Sequence, residues 1–305
     1  MWSRDNMRGA RQLAPATGPG VTRRGRQGGR NSVNVSPGTD VYADLVADGE
    51  AVDQFVAGLE PAQWTLATPA PGWTISHQVA HLASMARLAG TAAADPEAFR
   101  AQTAGAAQNF DAAVQAALTP YLACSPPELL TRWRSERATA AAALAALPVD
   151  KMVPWLARPL PAGILASAGI MELFAHGLDI ADTVGGHRPA TDRIRHLVVF
   201  AVRNWESGYL IRGLTPPGTP FRFELIAPSG ARWELGPADA TQVITGPAAD
   251  FCLLVTRRRH RDDLAVTASG ADADRWLDIA QCYRGGPGPG RSPGQFAPRR
   301  DTALT

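Results

Sequence analysis

Residues 170–179, Ile170-Met-Glu-Leu-Phe-Ala-His-Gly-Leu-Asp179, bring a carboxylate, an imidazole and a second carboxylate into one apolar stretch. The stretch extends from Gly163 to Val184, and its composition and spacing predict a single long helix. A helix advances about 100° per residue, so Glu172 and His176 lie one turn apart on the same face and Asp179 returns to that side. A buried carboxylate–imidazole pair needs a partner, and both groups are ligands of divalent first-row metals. These residues therefore predict a metal-binding helix.

A third metal ligand is expected from another segment, because two groups do not fill a coordination sphere. The candidate is His81, in Trp73-Thr-Ile-Ser-His-Gln-Val-Ala-His81, on a helix that should begin near Ile75 after the N-cap Thr74. Two His and one carboxylate leave positions open for water or substrate, as a catalytic site requires. Zinc is the expected ion, although non-haem iron and nickel fit the same donor set.

Two neighbouring polar residues have several possible roles. His77, one turn before His81, is a fourth ligand, a hydrogen-bond donor behind the ligands, or a residue with no role at the site. For Asp179 we expect a hydrogen bond from the free imidazole N–H of His176, which would select the nitrogen that meets the metal. General base and helix-surface charge are the alternatives for Asp179.

The hydrophobic patterns predict a helical first part and a mixed second part. Helices are predicted at 39–59, 75–94, 97–118, 126–147 and 163–184. The second part has predicted helices at 192–209, 250–257 and 271–283 and predicted strands at 221–226, 232–235, 242–245 and 264–268. The fold class is therefore α followed by α+β, a helical bundle joined to a small α+β domain.

Domain boundaries follow from composition. Residues 1–38 are predicted to be a disordered Arg/Gly-rich tail, 39–190 the bundle, 191–285 the α+β domain and 286–305 a second flexible tail. The first tail holds seven Arg and one Asp; subtracting its +6 from the total of +2 leaves −4 for the rest of the chain. An acidic body argues against nucleic-acid binding.

Cysteine usage and hydropathy indicate a cytoplasmic protein. The three cysteines are too few and too scattered for a disulfide framework. No uninterrupted apolar segment of roughly 18 residues occurs, so we expect neither a membrane span nor a membrane partner. A monomer or a homodimer is expected.

The motifs together resemble a known family. The pattern Trp73-Thr-Ile-x5-His81-Leu-Ala, then Val153-Pro-Trp155, then Glu172-x3-His176-Gly-x-Asp179 is similar to that of the DinB-like metal-binding bundles. The nearest likeness is to the actinobacterial branch related to mycothiol-dependent maleylpyruvate isomerase. The stretch 246–261 continues the resemblance, which spans residues 39–284.

This resemblance implies a fold, a cofactor and an activity. It implies a DinB-type four-helix bundle that holds a divalent metal through His81, Glu172 and His176, followed by a small sterol-carrier-like domain. It implies mycothiol or a similar thiol as co-substrate, used to isomerise a double bond or to transfer sulfur to a small electrophilic, anionic substrate. An arginine of the second domain would assist, and Arg222 is the candidate, beside Asp179, for a catalytic role.

Two other functions compete with this one. A ligand-binding or lipid-binding protein would use the metal only to hold the helices of the bundle together. Its fourth coordination position would be closed by a protein ligand, which His77 could supply. A metal-dependent hydrolase would act without any thiol.

Trp73 and Trp155 either line the mouth of the bundle or are ordinary core aromatics. The cluster Arg257-Arg-Arg259 is either a solvated helix end or an anchor for an anionic substrate.

Overall fold

The computed structural model describes residues 40–105 and 109–296, so the predicted tail at 1–38 and residues 297–305 lie outside the described residues. The first part contains six α-helices within these ranges, and four long ones pack as a bundle. They are α1 (Val41–Ala57), α2 (Ile75–Ala94), α3 (Pro96–Thr103), α4 (Phe110–Leu122), α5 (Pro126–Ala145) and α6 (Ala162–Val184). The bundle is built from α1, α2, α5 and α6, with α4 against α2.

Capping residues explain where the bundle helices begin and end. Thr74 and His77 form a capping box at the start of α2, as the N-cap prediction for Thr74 requires. Ser125 caps α5 with Glu128 in the same way. The last helix, α6, stops at Gly185, whose φ of 67° lies in the left-handed region that glycine adopts without steric cost.

The single helix predicted at 97–118 is wrong. Two helices occupy this segment, because two separate N-caps divide it. Asp95 accepts backbone hydrogen bonds at the start of α3, and Asn109 accepts one from the N–H of Ala112 at the start of α4. The segment around Trp155 contains a short antiparallel ladder, β1 (Met152–Val153) and β2 (Leu160–Pro161).

The second part is a four-stranded mixed sheet covered by helices. Its elements are α7 (Arg195–Arg203), α8 (Ser207–Leu210), β3 (Phe221–Ile226), β4 (Arg232–Leu235), β5 (Gln242–Pro247), α9 (Ala248–Val255), β6 (Thr267–Ser269) and α10 (Ala271–Ile279). The strand order is β4-β3-β5-β6, with β3 and β5 parallel and both outer pairings antiparallel. The helix predicted at 192–209 is divided by a turn at Asn204, and the last helix ends before Ala280.

Helix α6 is shared between the two parts of the fold. Leu173 and Ile180 on one side belong to the bundle core with Val79 of α2. On the other side, Ala168 and Met171 belong to the core of the α+β part. Because both cores use α6, the helix is apolar nearly all round, which is the pattern of a fully buried helix.

This burial also explains the membrane-like composition of α6. Its apolar composition and its length of 23 residues would suffice to cross a membrane, but 67% of its most apolar 18-residue stretch is buried inside the protein. The helix has the properties expected of the core helix of a water-soluble fold.

Part of the predicted flexible tail packs against the bundle. Residues 286–296, here called the C-terminal strap, cross the end of α9 and reach α6. The Nη2 atom of Arg291 lies 2.8 Å from Oδ1 of Asp179. The guanidinium of Arg259 lies 4.1 Å from the ring centre of Phe296, and the N–H of Gly294 donates to Asp263. Composition alone predicted a loose tail because it does not reveal these long-range polar contacts.

Candidate metal centre

Three side chains from α2 and α6 meet at one point. Nε2 of His81 lies 3.3 Å from Oε2 of Glu172, and Nε2 of His176 lies 3.0 Å from the same oxygen. One donor atom of each residue lies within 4.8 Å of the others. The side chains are 12–20% exposed, so the site is largely withdrawn from solvent.

Helix geometry explains how the chain builds this cluster. Glu172 and His176 are four residues apart on α6, so their side chains share one face. His81 projects from the second turn of α2, which packs directly against α6. The two helices therefore place a carboxylate between two imidazoles, whose ring centres are 4.5 Å apart.

The protonation of the cluster favours cation binding. Burial opposes ionisation of Glu172, but the two neighbouring imidazoles, His176 and His81, outweigh it and hold the pKa of Glu172 well below its usual range. Burial, followed by repulsion from His81, lowers the pKa of His176 below its usual 6.5. An ionised carboxylate beside a neutral imidazole is the protonation state that metal ligation requires.

The donor set fits a divalent metal. Nδ1 of His176 contacts Oε1 of Gln78 at 2.5 Å, which leaves Nε2 directed at Glu172 and available to a metal. Nδ1 of His81 is buried with no hydrogen-bond partner in the described part of the chain. Two imidazole nitrogens and a carboxylate are common zinc ligands, and three ligands leave a further position open.

Trp73 forms one wall of the centre. Its ring stacks on His176 at a centroid distance of 5.9 Å and an interplanar angle of 20°, and it lies 5.3 Å from the ring of His81. Trp73 therefore lies at the site, which is one of the two alternatives that the sequence left open for it. Trp155 instead stacks on Phe99 at 5.7 Å, in a core position.

His77 has a structural role at the start of α2. Its Nδ1 lies 2.8 Å from Oγ1 of Thr74 and 3.2 Å from the Thr74 backbone nitrogen. Burial lowers the pKa of His77 below its usual value. Because its ring closes the capping box, His77 is not part of the three-residue cluster.

The hydrogen bond predicted between Asp179 and His176 is wrong. Asp179 is fully buried, and its two oxygens accept hydrogen bonds from Arg258 and Arg291, each at 2.8 Å. Asp179 lies on the side of α6 that its i+3 spacing from His176 predicts. There its carboxylate meets the α+β part and the C-terminal strap instead of the His176 ring. Gln78 on α2 takes the position beside His176 that the sequence assigned to Asp179.

For Arg222, the arginine that the resemblance suggested as assisting, the structure shows partners within the sheet. Strand alternation buries Phe221 and Phe223 against the helices and directs Arg222 to the opposite face of the sheet. There its side chain pairs with Glu224 at 2.6 Å and with Glu234 at 2.9 Å.

Arg258 is the arginine of the second part whose charge reaches the centre. Burial and repulsion from His81 account for most of the lowering of the pKa of His176, and the charge of Arg258 adds to it and also interacts with Glu172. It binds Asp179 and donates to the backbone oxygen of Thr256, which fixes its position. The sequence carried a signal for this residue, because the Arg257-Arg-Arg259 run follows a predicted buried helix. No sequence signal paired it with Asp179.

Comparisons with known proteins identify the family of the chain. Residues 45–181 match the family model described as mycothiol maleylpyruvate isomerase N-terminal domain. Uncharacterized protein Rv0036c of Mycobacterium tuberculosis strain H37Rv is 46% identical over 249 residues, 82% of this chain and 97% of that protein. Its counterpart in strain CDC 1551, also uncharacterized, matches equally. The chain belongs to the mycothiol maleylpyruvate isomerase N-terminal domain family.

The second part and the overall architecture have separate matches. Residues 217–269 match the model described as wyosine base formation, whereas the sequence resemblance implied a sterol-carrier-like domain. The crystal structure of a histidine-to-alanine mutant of the mycothiol-dependent maleylpyruvate isomerase is similar, with a TM-score of 0.52 at 17% identity. The match covers 75% of this chain and 91% of that one. At this identity the likeness establishes the fold: a helical bundle followed by a small α+β part.

Proposed function

We propose that this protein is a cytoplasmic metalloenzyme that uses a low-molecular-weight thiol, mycothiol by family membership, on a small electrophilic and anionic substrate. The reaction is isomerisation of a double bond or transfer of the thiol sulfur. The observation that carries the proposal is the convergence of His81, Glu172 and His176 on one point. Membership of a family named for a mycothiol-dependent isomerase supports the choice of thiol.

The residues around the centre would each have a defined part. His81, Glu172 and His176 would hold a divalent metal, zinc by its ligands, which would supply a Lewis acid able to lower the pKa of a thiol. Trp73 covers both imidazoles and keeps bulk water from that side. Asp179 holds Arg258 in place, which makes it a positioning residue rather than a group that touches substrate.

The arginines support an anionic substrate. Arg258 places a buried positive charge within electrostatic range of the centre. Next to it, Arg257 adopts a positive φ of 57°, a strained conformation for a residue with a side chain. Within residues 40–105 and 109–296, no carboxylate forms an ion pair with Arg257. Asp179 carries one negative charge against the two positive charges of Arg258 and Arg291, and this surplus of positive charge would favour a carboxylate-bearing substrate over a neutral one.

The first test is metal analysis of purified wild-type protein beside His81→Ala and Glu172→Ala. His187→Ala, at an exposed histidine, is the matched control. We expect about one equivalent of metal in the wild type and the control, and loss of metal in both ligand variants. Wild-type protein that stays folded, contains no metal and cannot be reconstituted would contradict the proposal.

The second test addresses the thiol. Cobalt-substituted protein is titrated with mycothiol while its visible absorption is recorded. Sulfur entering the coordination sphere should add a thiolate charge-transfer band, and the band should saturate. An unchanged spectrum would remove the thiol from the proposal, and turnover without thiol would identify a hydrolase. The ligand-binding alternative needs a closed fourth position, but His77 is engaged with Thr74 instead.

A further inference from the structure

A chain of hydrogen bonds links the backbone before α2 to the metal ligand His176. The carbonyl of Trp73 accepts a hydrogen bond from the Thr68 hydroxyl at 2.9 Å and another from the Thr68 N–H at 2.8 Å. The Thr68 hydroxyl lies 2.8 Å from Nε2 of Gln78. Gln78 in turn contacts Nδ1 of His176 at 2.5 Å, and Gln78 itself is fully buried.

The direction of this chain is set at its first member. A carbonyl can only accept, so the one hydroxyl proton of Thr68 is directed at Trp73. The Thr68 oxygen must then accept from the amide nitrogen of Gln78. With that nitrogen facing Thr68, the amide oxygen of Gln78 faces His176. If the amide were reversed, the Thr68 hydroxyl would have to donate to the amide oxygen of Gln78. A lone pair of the Thr68 oxygen would then face a lone pair of the Trp73 carbonyl oxygen, 2.9 Å away.

From this polarity we infer that Gln78 is a positioning residue that holds the proton of His176 on Nδ1. A neutral imidazole carries one ring proton, so its Nε2 presents a lone pair. That lone pair faces the carboxylate of Glu172 at 3.0 Å, where two acceptors repel unless a cation lies between them. Gln78 thus prepares the centre for a metal before the metal arrives.

The tautomer can be measured without any metal. Long-range ¹H–¹⁵N spectra of the metal-free protein with ¹⁵N-labelled histidine, at alkaline pH, distinguish protonated from unprotonated ring nitrogens. The His176→Gln variant assigns the signal. We expect the proton on Nδ1 in the wild type and on Nε2, donating to Glu172, in Gln78→Met. A wild-type proton on Nε2 would overturn the inference, as would an unchanged tautomer in Gln78→Met.

Thr68→Val is the second variant, and it keeps the test valid if Gln78→Met does not fold. It removes the acceptor that orients the Gln78 amide, so the amide can reverse and both tautomers of His176 should appear. Pure Nδ1–H in a folded Thr68→Val protein would show that Thr68 does not set the direction, against the inference.

The effect on metal affinity rests on the proposed function. We expect Gln78→Met to weaken cobalt or zinc binding by about 10- to 100-fold. Gln78→Glu, which still accepts from Nδ1, should stay within a few-fold of the wild type. Gln54→Met, at an exposed glutamine of α1, is the matched control. The double variant with Thr68→Val should bind no worse than Gln78→Met alone, because both changes act through one chain.

The two tests separate the inference from the proposed function. Wild-type protein with the Nδ1 tautomer but no metal affinity contradicts the metalloenzyme and leaves the role of Gln78 intact. Wild-type protein that binds metal, together with a Gln78→Met variant that binds it equally well, contradicts the positioning role alone.

Discussion

At the scale of single residues, His196 shows how burial and a neighbouring charge act in opposite directions. Its Nε2 atom lies 2.9 Å from Oδ2 of Asp44, which joins α7 to α1. Burial lowers the pKa of His196 below 6.5, and the hydrogen bond with Asp44 offsets only part of that effect. The folded protein therefore prefers neutral His196 over its protonated form.

This preference predicts a pH dependence of stability. Below about pH 6.5 the unfolded chain binds a proton at His196 that the folded protein does not, so the free energy of unfolding falls as pH decreases. His196→Gln should remove this component and flatten the profile between about pH 7 and 5. Denaturant unfolding at several pH values measures it, with His187→Gln as the exposed control. Identical slopes for the wild type and His196→Gln would refute this assignment.

The candidate ligands illustrate what sequence can specify at this scale. His81, Glu172 and His176 were identified because helical periodicity and residue chemistry are local properties of the chain. The partners of Asp179 are 79 and 112 residues away, and spacing on α6 contains no information about them. The role of Gln78 depended likewise on which face of α2 meets α6, although it lies only three residues before His81.

At the scale of elements, the contact between α8 and the end of α10 depends on Gly208. A methyl group added at Gly208 would lie 2.2 Å from the backbone oxygen of Ile279, a distance that only movement of the backbone can relieve. Glycine is otherwise a poor helix former, so its presence within α8 is explained by this close approach.

Gly208→Ala should therefore destabilise the α+β part. The expected loss is about 1–3 kcal/mol in the free energy of unfolding, because overpacking outweighs the gain in helix propensity. Gly218→Ala is the control, since nothing lies within 4 Å of the added carbon. Thermal or denaturant unfolding decides the matter; equal stability of the two variants would show that α8 adjusts without cost.

Element boundaries were predictable where a cap or a strong pattern marks them. The start of α2 at Ile75, the end of α6 at Val184 and strand β3 agree with the sequence prediction. The break between α3 and α4 was missed because the apolar pattern continues across Asn109, while the cap itself is a single polar side chain. The turn at Asn204 was missed because the apolar spacing of 192–209 fits one continuous helix.

At the scale of the whole molecule, the buried carboxylate of Asp179 joins three segments. It lies on α6 and is bound by Arg258 after α9 and by Arg291 of the C-terminal strap. The carboxylate is fully buried, and the two guanidinium groups are about nine-tenths buried. A charge buried to this degree is tolerated only when it is paired, so the two parts and the strap depend on one another.

Arg291→Ala tests this dependence. Removing one charged hydrogen bond to Asp179 should lower the free energy of unfolding by about 1.5–3 kcal/mol. The strap should also become more accessible to proteases near residue 291. Arg232→Ala, whose side chain is 65% exposed, is the control and should have little effect. Unchanged stability and protection in Arg291→Ala would mean that Arg258 alone satisfies Asp179.

The strap also has a consequence for how the protein is made. A ribosome produces Asp179 well before either arginine: Arg258 follows 79 residues later and Arg291 112 residues later. Until then α6 carries an unpaired carboxylate on a face destined for the interior, so the nascent bundle has to leave that face in water. Native assembly of the first half is completed by residues that are translated long after it. A chain that ends before Arg291 would contain all three candidate metal ligands. It would lack one of the positive charges that allow the Asp179 face of α6 to be buried.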